Sequence, residues 1–226
     1  MKKALLLILT VLIVISFSYL CTYSSAEEEA LALIENETSD EIVFGQSDRA
    51  LIFYPGGKVA PEAYAPLAKA LSDEGIMCII AKMPFNLAVF APDSADKIRE
   101  NHPEVKTWYI GGHSLGGSMA AANAGKNPDV YDALILLASY SASDISRVPI
   151  RVLSIYGSED GVLNREKYAS SLSNLPKKTK QVIINGGNHA LFGSYGEQKG
   201  DGKPLITPSE QLELTKNEIL SFLSSR

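Results

Sequence analysis

A serine flanked by glycines is the residue of this sequence best suited to nucleophilic chemistry. Ser114 lies in Gly112-His113-Ser114-Leu115-Gly116, which has the pattern Gly-x-Ser-x-Gly. In this pattern the serine occupies a strained turn between a strand and a helix, and its hydroxyl is exposed. The N-terminus of the helix adds positive potential where an oxyanion would form. The pattern therefore predicts that Ser114 attacks a carbonyl carbon in an acyl-transfer reaction.

A general base must accompany such a serine, and the sequence offers three histidines. In a strand–turn–helix context of this kind the chain order is serine, acid, histidine. His102 precedes the strand that carries Ser114 and is expected in a surface loop at the opposite end of the sheet. His113 belongs to the turn itself and is expected to direct its ring away from the serine hydroxyl. His189, in Asn185-Gly186-Gly187-Asn188-His189, is therefore the predicted base.

The acid that orients this histidine is expected after the preceding strand. Gly157-Ser158-Glu159-Asp160-Gly161 follows the strand predicted over 150–156. Asp160 is the preferred candidate, with Glu159 and Asp144 as alternatives. In the predicted mechanism the histidine takes the serine proton and the acid fixes the tautomer of the imidazole ring.

Two backbone N–H groups are expected to bind the oxyanion. One is that of Leu115, the residue after the nucleophile. The other is expected from the loop after the first long strand, Pro55-Gly56-Gly57-Lys58, where both Gly57 and Lys58 remain candidates. No metal or cofactor is expected, because the predicted mechanism needs none and the sequence has no Cys/His cluster with ligand spacing.

Residues that directly follow other strands are expected near the substrate. These possible pocket residues are Phe85, Asn86, Leu87, Tyr140, Phe192 and Tyr195. The segment 193–202 is rich in glycine and is interpreted either as a substrate loop or as an ordered surface loop.

Short apolar runs alternate with helical stretches and supply the frame for these residues. Strands are predicted over 50–54, 76–81, 107–110, 133–138, 150–156 and 181–184, with a further edge strand over 41–44. Helices are predicted over 61–72, 91–101, 114–125, 165–172 and 209–223. This alternation is typical of a mostly parallel sheet with helices on both faces. Only eleven residues, 139–149, join two of the strands, which leaves no room there for a large lid domain.

Composition and charge indicate the number of domains and the kinds of partner that this protein can have. The chain has 226 residues, of which 46% are hydrophobic, and a formal net charge of −5. This length favours one domain. Lysine and arginine are scattered, which argues against nucleic acid as a partner.

Residues 1–26 have the pattern of an export segment. Two lysines precede the run 4–20, which is almost entirely apolar, and Ser24-Ser25-Ala26 offers small residues for cleavage. The segment is interpreted as a cleaved signal peptide or as a membrane anchor. Lipid modification of Cys21 is a third possibility, which the bulky residues before it disfavour. In each case the single domain 27–226 is expected outside the cytoplasm.

Taken together, the motifs resemble those of a small, lidless α/β-hydrolase of the "fold-5" branch, related to dienelactone-hydrolase-like proteins. The resemblance covers about residues 42–226. Its motifs lie in segments 54–59, 83–88, 111–117, 156–160 and 186–196. It implies an α/β-hydrolase fold and a triad of Ser114, Asp160 and His189. Dienelactone hydrolases use a cysteine nucleophile where this chain has serine, so the dienelactone substrate is not implied.

These features predict an extracytoplasmic serine hydrolase. The preferred activity is carboxylic ester hydrolysis, and an open site favours a short or soluble small-molecule acyl substrate. A peptidase or an acyltransferase with the same triad is the alternative within the enzymes. A non-catalytic binding protein that keeps the fold is the other alternative, although suitable residue types at all three triad positions count against it. Membrane contact is expected only through an uncleaved N-terminal segment, and the oligomeric state is left open.

Overall fold

A seven-stranded sheet forms the centre of the computed structural model, which describes residues 21–225. Its strands are β1 (Glu41–Phe44), β2 (Arg49–Tyr54), β3 (Met77–Ala81), β4 (Thr107–His113), β5 (Tyr131–Leu137), β6 (Arg151–Gly157) and β7 (Lys180–Ile184). Their order across the sheet is β1-β3-β2-β4-β5-β6-β7. Every neighbouring pair is parallel except β1 with β3. The mostly parallel sheet and the edge strand over 41–44 are thus confirmed.

Helices cover this sheet on both faces, as predicted. They are α1 (Glu28–Leu31), α2 (Ala65–Ser72), α3 (Ser94–Asn101), α4 (Leu115–Lys126), α5 (Arg165–Ser171) and α6 (Pro208–Ser224). Two predicted helices begin late. The stretch from Pro61 starts as a 3-10 turn and becomes α-helical only at Ala65. The stretch from Ala91 contains Pro92, which lacks a backbone N–H, and its helix begins at Ser94.

The core consists of two layers, one on each face of the sheet. One layer packs strand residues against α2 and α6, with Leu71 and Phe222 as examples. The other packs them against α3 and α4, with Ile98 and Ala120 as examples. Adjacent residues of β5, such as Leu134 and Ile135, are fully buried in opposite layers. Burial on both faces explains why the sequences of the central strands are continuous apolar runs.

The connection from β5 to β6 contains no helix, in agreement with the prediction that its eleven residues leave no room for a large lid domain. Instead it packs closely against the body of the domain: Ile145 is buried, and its N–H donates to the carbonyl of Asn174. No large lid stands over the sheet in the described part of the chain.

Because six strands run parallel, their carboxyl ends lie along one edge of the sheet. The loops after β2, β4, β6 and β7 therefore bring Gly57, Ser114, Asp160 and His189 to the same edge.

No helix within residues 21–225 has both the length and the apolar character needed to span a bilayer. The predicted export run over 4–20 lies outside the described residues, and the assignment of residues 1–26 stays a prediction.

Candidate functional site

Ser114 occupies a strained turn between β4 and α4. Its φ is 51°, in the left-handed region that side chains other than glycine rarely adopt. The neighbouring backbone leaves no space for a side chain at position 116, because a Cβ on Gly116 would lie 2.2 Å from the carbonyl oxygens of Tyr54 and Pro55. The Ser114 N–H donates to the carbonyl of Leu137 at 2.9 Å. The turn is thus held by close packing and one sheet hydrogen bond, at the N-terminus of a twelve-residue helix.

The structure brings Asp160 and His189 together as a buried pair. The distance from His189 Nδ1 to Asp160 Oδ2 is 2.9 Å. The other carboxylate oxygen, Oδ1, accepts the N–H groups of Val162 and Leu163 at 2.9 and 2.7 Å. An ionised carboxylate accepts hydrogen bonds only, so His189 donates from Nδ1. Its Nε2 is buried without a hydrogen-bond partner among residues 21–225, and as the neutral tautomer it is a proton acceptor.

The His189 ring lies at the serine turn, although its loop follows β7. Three strand spacings, about 14 Å, separate β7 from β4. The ring nevertheless lies 4.4 Å, centroid to centroid, from the ring of His113, the residue before Ser114. The predicted acid, the predicted base and the turn that holds the predicted nucleophile therefore meet in space.

The alternative acids lie elsewhere. Glu159 accepts a hydrogen bond from the neighbouring Ser158 side chain at an exposed position. Asp144 is exposed, and hydrogen bonds from the side chain and then the N–H of Ser146 lower the pKa of its carboxyl group. Neither carboxylate contacts His189 through a hydrogen bond found in the described residues.

His102 differs from the expectation of a surface loop residue. Only 13% of its side chain is exposed, and Nε2 lies 2.9 Å from Glu41 Oε1. Nδ1 lies 3.2 Å from Glu104. The ring therefore joins the end of α3 to the edge strand β1, which lies three strand spacings from β4, the strand that precedes Ser114.

A buried hydrogen-bond chain joins the loop after β2 to the serine turn. The N–H of Gly56 donates to the hydroxyl of Tyr64 at 2.9 Å. That hydroxyl lies 2.8 Å from His113 Nδ1 and forms a second hydrogen bond there. Burial, followed by the nearby His189, holds the pKa of His113 well below its ordinary value of 6.5, so His113 is neutral at pH 7. The sequence analysis did not identify Tyr64, because a tyrosine within a predicted helix carries no motif.

The N–H groups of Leu115 and Gly57 remain the candidates for binding an oxyanion. Leu115 is the first residue of α4, so its N–H has no intrahelical partner. Gly57 adjoins it: a Cβ there would lie 2.8 Å from Leu115 Cδ2. The third predicted donor, Lys58, donates its N–H to the carbonyl of Asn86 at 2.7 Å. This corrects the inclusion of Lys58, because its N–H is already used to hold the loop together.

Of the expected pocket residues, Asn86 and Leu87 lie beside this loop. The Asn86 carbonyl binds the loop directly, and Leu87 Cδ2 lies 3.5 Å from the position of a Cβ on Gly57. Phe85 is 44% exposed and packs edge-on against Phe90, with ring centroids 5.9 Å apart. Phe85 thus forms part of the outer surface, next to the residues that approach the site.

The other three expected pocket residues are half-buried or buried: Tyr140, Phe192 and Tyr195. Tyr140 is half-buried, and its carbonyl accepts the hydroxyl of Ser118 at 2.6 Å. Phe192 and Tyr195 are only 4% and 7% exposed and belong to the core. Their expected place near the substrate stays a prediction: Phe192 packs against His113 and, with Asn188 and Ala190 beside His189, lines a cavity of about 540 Å³. The sequence places both after His189 but says nothing of their burial.

Asp201 joins the loop that carries Asp160 to the loop that carries His189 through hydrogen bonds. Its Oδ1 accepts the N–H of Gly161 at 3.0 Å, and its Oδ2 accepts that of Ala190 at 2.8 Å. These two residues directly follow Asp160 and His189. The segment 193–202 is therefore ordered against the site. The sequence analysis missed this role, although an aspartate between two glycines was the signal available.

The C-terminal helix supports the same loop. The buried side chain of Gln211 accepts the N–H of Asn188 at 3.0 Å and donates to its carbonyl at 2.9 Å. The Asn188 side chain in turn donates to the carbonyl of Gly202. The position of His189 thus depends on α6 as well as on β7. Within the described residues no group of three or more His, Cys, Asp or Glu side chains is placed to hold a metal ion.

Comparison with known proteins is consistent with this geometry. Residues 50–213 match the model of a family described as "Alpha/beta hydrolase family". A search of curated proteins found no match. Among solved structures, Est1E from Butyrivibrio proteoclasticus, with ferulic acid bound, is 15% identical with a TM-score of 0.64, covering 82% of this chain and 95% of its own.

Two further structures show the same fold. Carboxylesterase CesB from Bacillus subtilis is 14% identical with a TM-score of 0.63, covering 87% of this chain and 95% of its own. Dienelactone hydrolase from Anabaena variabilis is 16% identical with a TM-score of 0.59, covering 80% and 90%. The α/β-hydrolase fold expected from the motifs is thus confirmed.

Proposed function

This chain belongs to the alpha/beta hydrolase family, and we propose that it is a serine hydrolase that cleaves carboxylic esters through Ser114, His189 and Asp160. One observation carries the proposal: His189 Nδ1 is hydrogen-bonded to Asp160, its buried Nε2 has no hydrogen-bond partner among residues 21–225, and its ring lies 4.4 Å from that of His113, the residue before Ser114. The choice of esters over other acyl compounds is supported by the structural neighbour from Bacillus subtilis, whose own name describes a carboxylesterase.

The first half-reaction forms an acyl-enzyme. Ser114 Oγ bonds to the carbonyl carbon of the ester while its proton passes to His189 Nε2. The carbonyl oxygen becomes an oxyanion, which accepts hydrogen bonds from the N–H groups of Leu115 and Gly57. When the carbon–oxygen bond to the alcohol breaks, His189 returns the proton to the leaving oxygen. Water then attacks the acyl group in the same way, and the acid is released.

Asp160 serves this cycle by holding the ring. Its Oδ2 accepts the Nδ1 proton of His189, so that Nε2 is the nitrogen available to the serine. Its Oδ1 is held by two backbone N–H groups, so the carboxylate cannot rotate freely. The pair is buried, so its interaction is screened little by water. This arrangement stabilises the imidazolium that forms after proton transfer.

We also propose that the catalytic domain acts outside the cytoplasm. The support is the sequence of residues 1–26, in which two lysines precede a long apolar run.

A fluorophosphonate probe tests the proposed nucleophile. The full chain, Ser114→Ala and the control Ser173→Ala, which changes a serine whose hydroxyl bonds only within an exposed turn, would be treated with the probe and assayed with p-nitrophenyl acetate. We expect labelling of the parent and the control but not of Ser114→Ala, whose hydrolysis should fall by at least about 10³-fold. A folded parent that is not labelled would contradict the mechanism.

A further inference from the structure

Four exposed hydrophobic side chains form a patch beside the site. This rim patch consists of Tyr23, Phe85, Val89 and Phe90, which are 54%, 44%, 45% and 54% exposed. They are half of the eight large hydrophobic residues that are exposed among residues 21–225. The two phenylalanine rings pack edge-on. Tyr23 is near them, because it shares a surface cavity of about 480 Å³ with the intervening loop at Asn86.

The rim patch is joined directly to the loop that holds the proposed oxyanion donor. On one side, the N–H of Lys58 donates to the carbonyl of Asn86. On the other, the N–H of Ser24 donates to the carbonyl of Lys58 at 2.8 Å, and the N–H of Ala60 donates to the carbonyl of Ser24 at 2.9 Å. Both parts of the patch are therefore anchored to one loop, at the edge of the sheet that carries Ser114.

The loop that exposes Phe85 at the surface has an unfavourable backbone conformation. Phe85 and Asn86 are consecutive residues with φ of 55° and 54°. A positive φ is sterically unfavourable for a residue with a bulky side chain such as Phe85. A conformation that is unfavourable in itself and keeps an aromatic ring in solvent indicates that this ring has a use at the surface.

The segment between the export run and the domain is built into the fold. Ser24 pairs with Val59 as a β-bridge, Ala26 packs against the core, and the N–H of Glu27 donates to the carbonyl of Ser194 at 3.0 Å. Cleavage after Ala26 would remove the bridge and leave the N–H of Ala60, whose residue is only 5% exposed, without its partner. These contacts favour a mature chain that keeps its N-terminal segment.

We infer that the rim patch rests on a lipid bilayer, held there by the apolar run over 4–20. That run ends three residues before Tyr23, so an anchor in the membrane places the patch at its surface. Aromatic side chains are favoured at the boundary between headgroups and acyl chains. The net charge of −5 gives no attraction to anionic lipids, so the contact is apolar. The inference rests on the proposed location outside the cytoplasm but not on the hydrolase chemistry.

Tryptophan quenching by brominated lipid tests this contact. The full chain would be reconstituted into phosphatidylcholine vesicles with and without bromine on the acyl chains. Phe90→Trp, and Val89→Trp as a second position, would be compared with Ile183→Trp. The control site is 51% exposed, on β7 at the far edge of the sheet. The parent chain, whose single tryptophan is Trp108, supplies the baseline.

We expect bromine to remove about half or more of the emission added at positions 89 and 90, because interfacial side chains lie within reach of the upper acyl chain. Emission added at position 183 should be unchanged. Equal quenching at all three positions, or none at 89 and 90, would overturn the inference. So would an intact mass showing that the mature chain starts after Ala26. Hydrolysis of p-nitrophenyl acetate by the same samples reports on the proposed function separately.

Discussion

On the side of the site that carries Asp160 and His189, hydrogen bonds hold the carboxylate and the two loops, whereas the turn that carries Ser114 is held mainly by backbone packing. The acid accepts three hydrogen bonds, and Asp201 ties its loop to the histidine loop. The serine turn instead depends on glycines with no space for a Cβ, of which Gly116 is the tightest.

Because of this difference, substitutions on the two sides of the site should have different effects on the protein. A hydrogen-bonded carboxylate can be replaced by an amide of the same shape, so the fold should survive while the proton chemistry changes. A glycine pressed against two carbonyl oxygens cannot accept even a methyl group without moving the backbone. Substitutions on the first side should therefore alter rate, and substitutions on the second should alter stability.

The largest effect on rate is expected from Asp160→Asn. The amide still accepts hydrogen bonds at one oxygen, but its NH₂ group faces His189 Nδ1 and favours the wrong tautomer. We expect ester hydrolysis to fall by about 10⁴-fold, while thermal unfolding monitored by circular dichroism stays close to that of the parent. If the variant instead unfolds as well as losing activity, Asp160 is needed for stability, which would contradict the proposed difference between the two sides of the site.

The largest effect on stability is expected from Gly116→Ala. The added methyl group would lie 2.2 Å from two carbonyl oxygens, and we expect a loss of about 3 kcal/mol or more in the free energy of unfolding. Gly125→Ala in the same helix is the matched control. There the methyl group meets only a side-chain carbon of Ile145 at 2.9 Å, and the change should stay within about 1 kcal/mol. Urea unfolding of both variants measures the difference.

The smallest effect is expected from Asp201→Asn, because Asp201 acts through other residues. The amide can accept only one of the two N–H groups well, so the loops of Asp160 and His189 should separate slightly. We expect kcat to fall about tenfold with little change in KM, by analogy with the loss of one hydrogen bond of about 1–1.5 kcal/mol. Asp201→Glu should restore part of the rate.

Asp144→Asn is the control for that experiment, since Asp144 is an exposed carboxylate away from His189. Its activity should equal that of the parent. Equal losses in Asp144→Asn and Asp201→Asn would show that the effect comes from net charge rather than from the position of the two loops.

Much of the fold was accessible from the sequence because its signals are local. Apolar runs, prolines and glycines predicted the strands and helices to within a few residues, and the connection over 139–149 was short enough to exclude a lid. The sequence carried no information where packing decides: Phe192 and Tyr195 follow His189 in the chain, and only the structure shows that both are buried in the core.

The same contrast holds for the candidate site. The Gly-x-Ser-x-Gly pattern selected Ser114 and chain order selected His189, whereas three acids remained possible, with Asp160 preferred. It had no means to show that the N–H of Lys58 is already donated to Asn86, or that a carboxylate in the loop over 193–202 binds two other loops. Those contacts join residues far apart in the chain.

The sequence by itself determined the order of strands and helices and the residue types available for chemistry, because turns, apolar periodicity and glycine patterns act over a few neighbouring residues. Only the tertiary structure decided which loops meet. The His189 ring reaches the serine turn across three strands, and Ser24 binds the loop after β2. Such contacts depend on how a parallel sheet gathers its strand ends at one edge, which is a property of the whole fold.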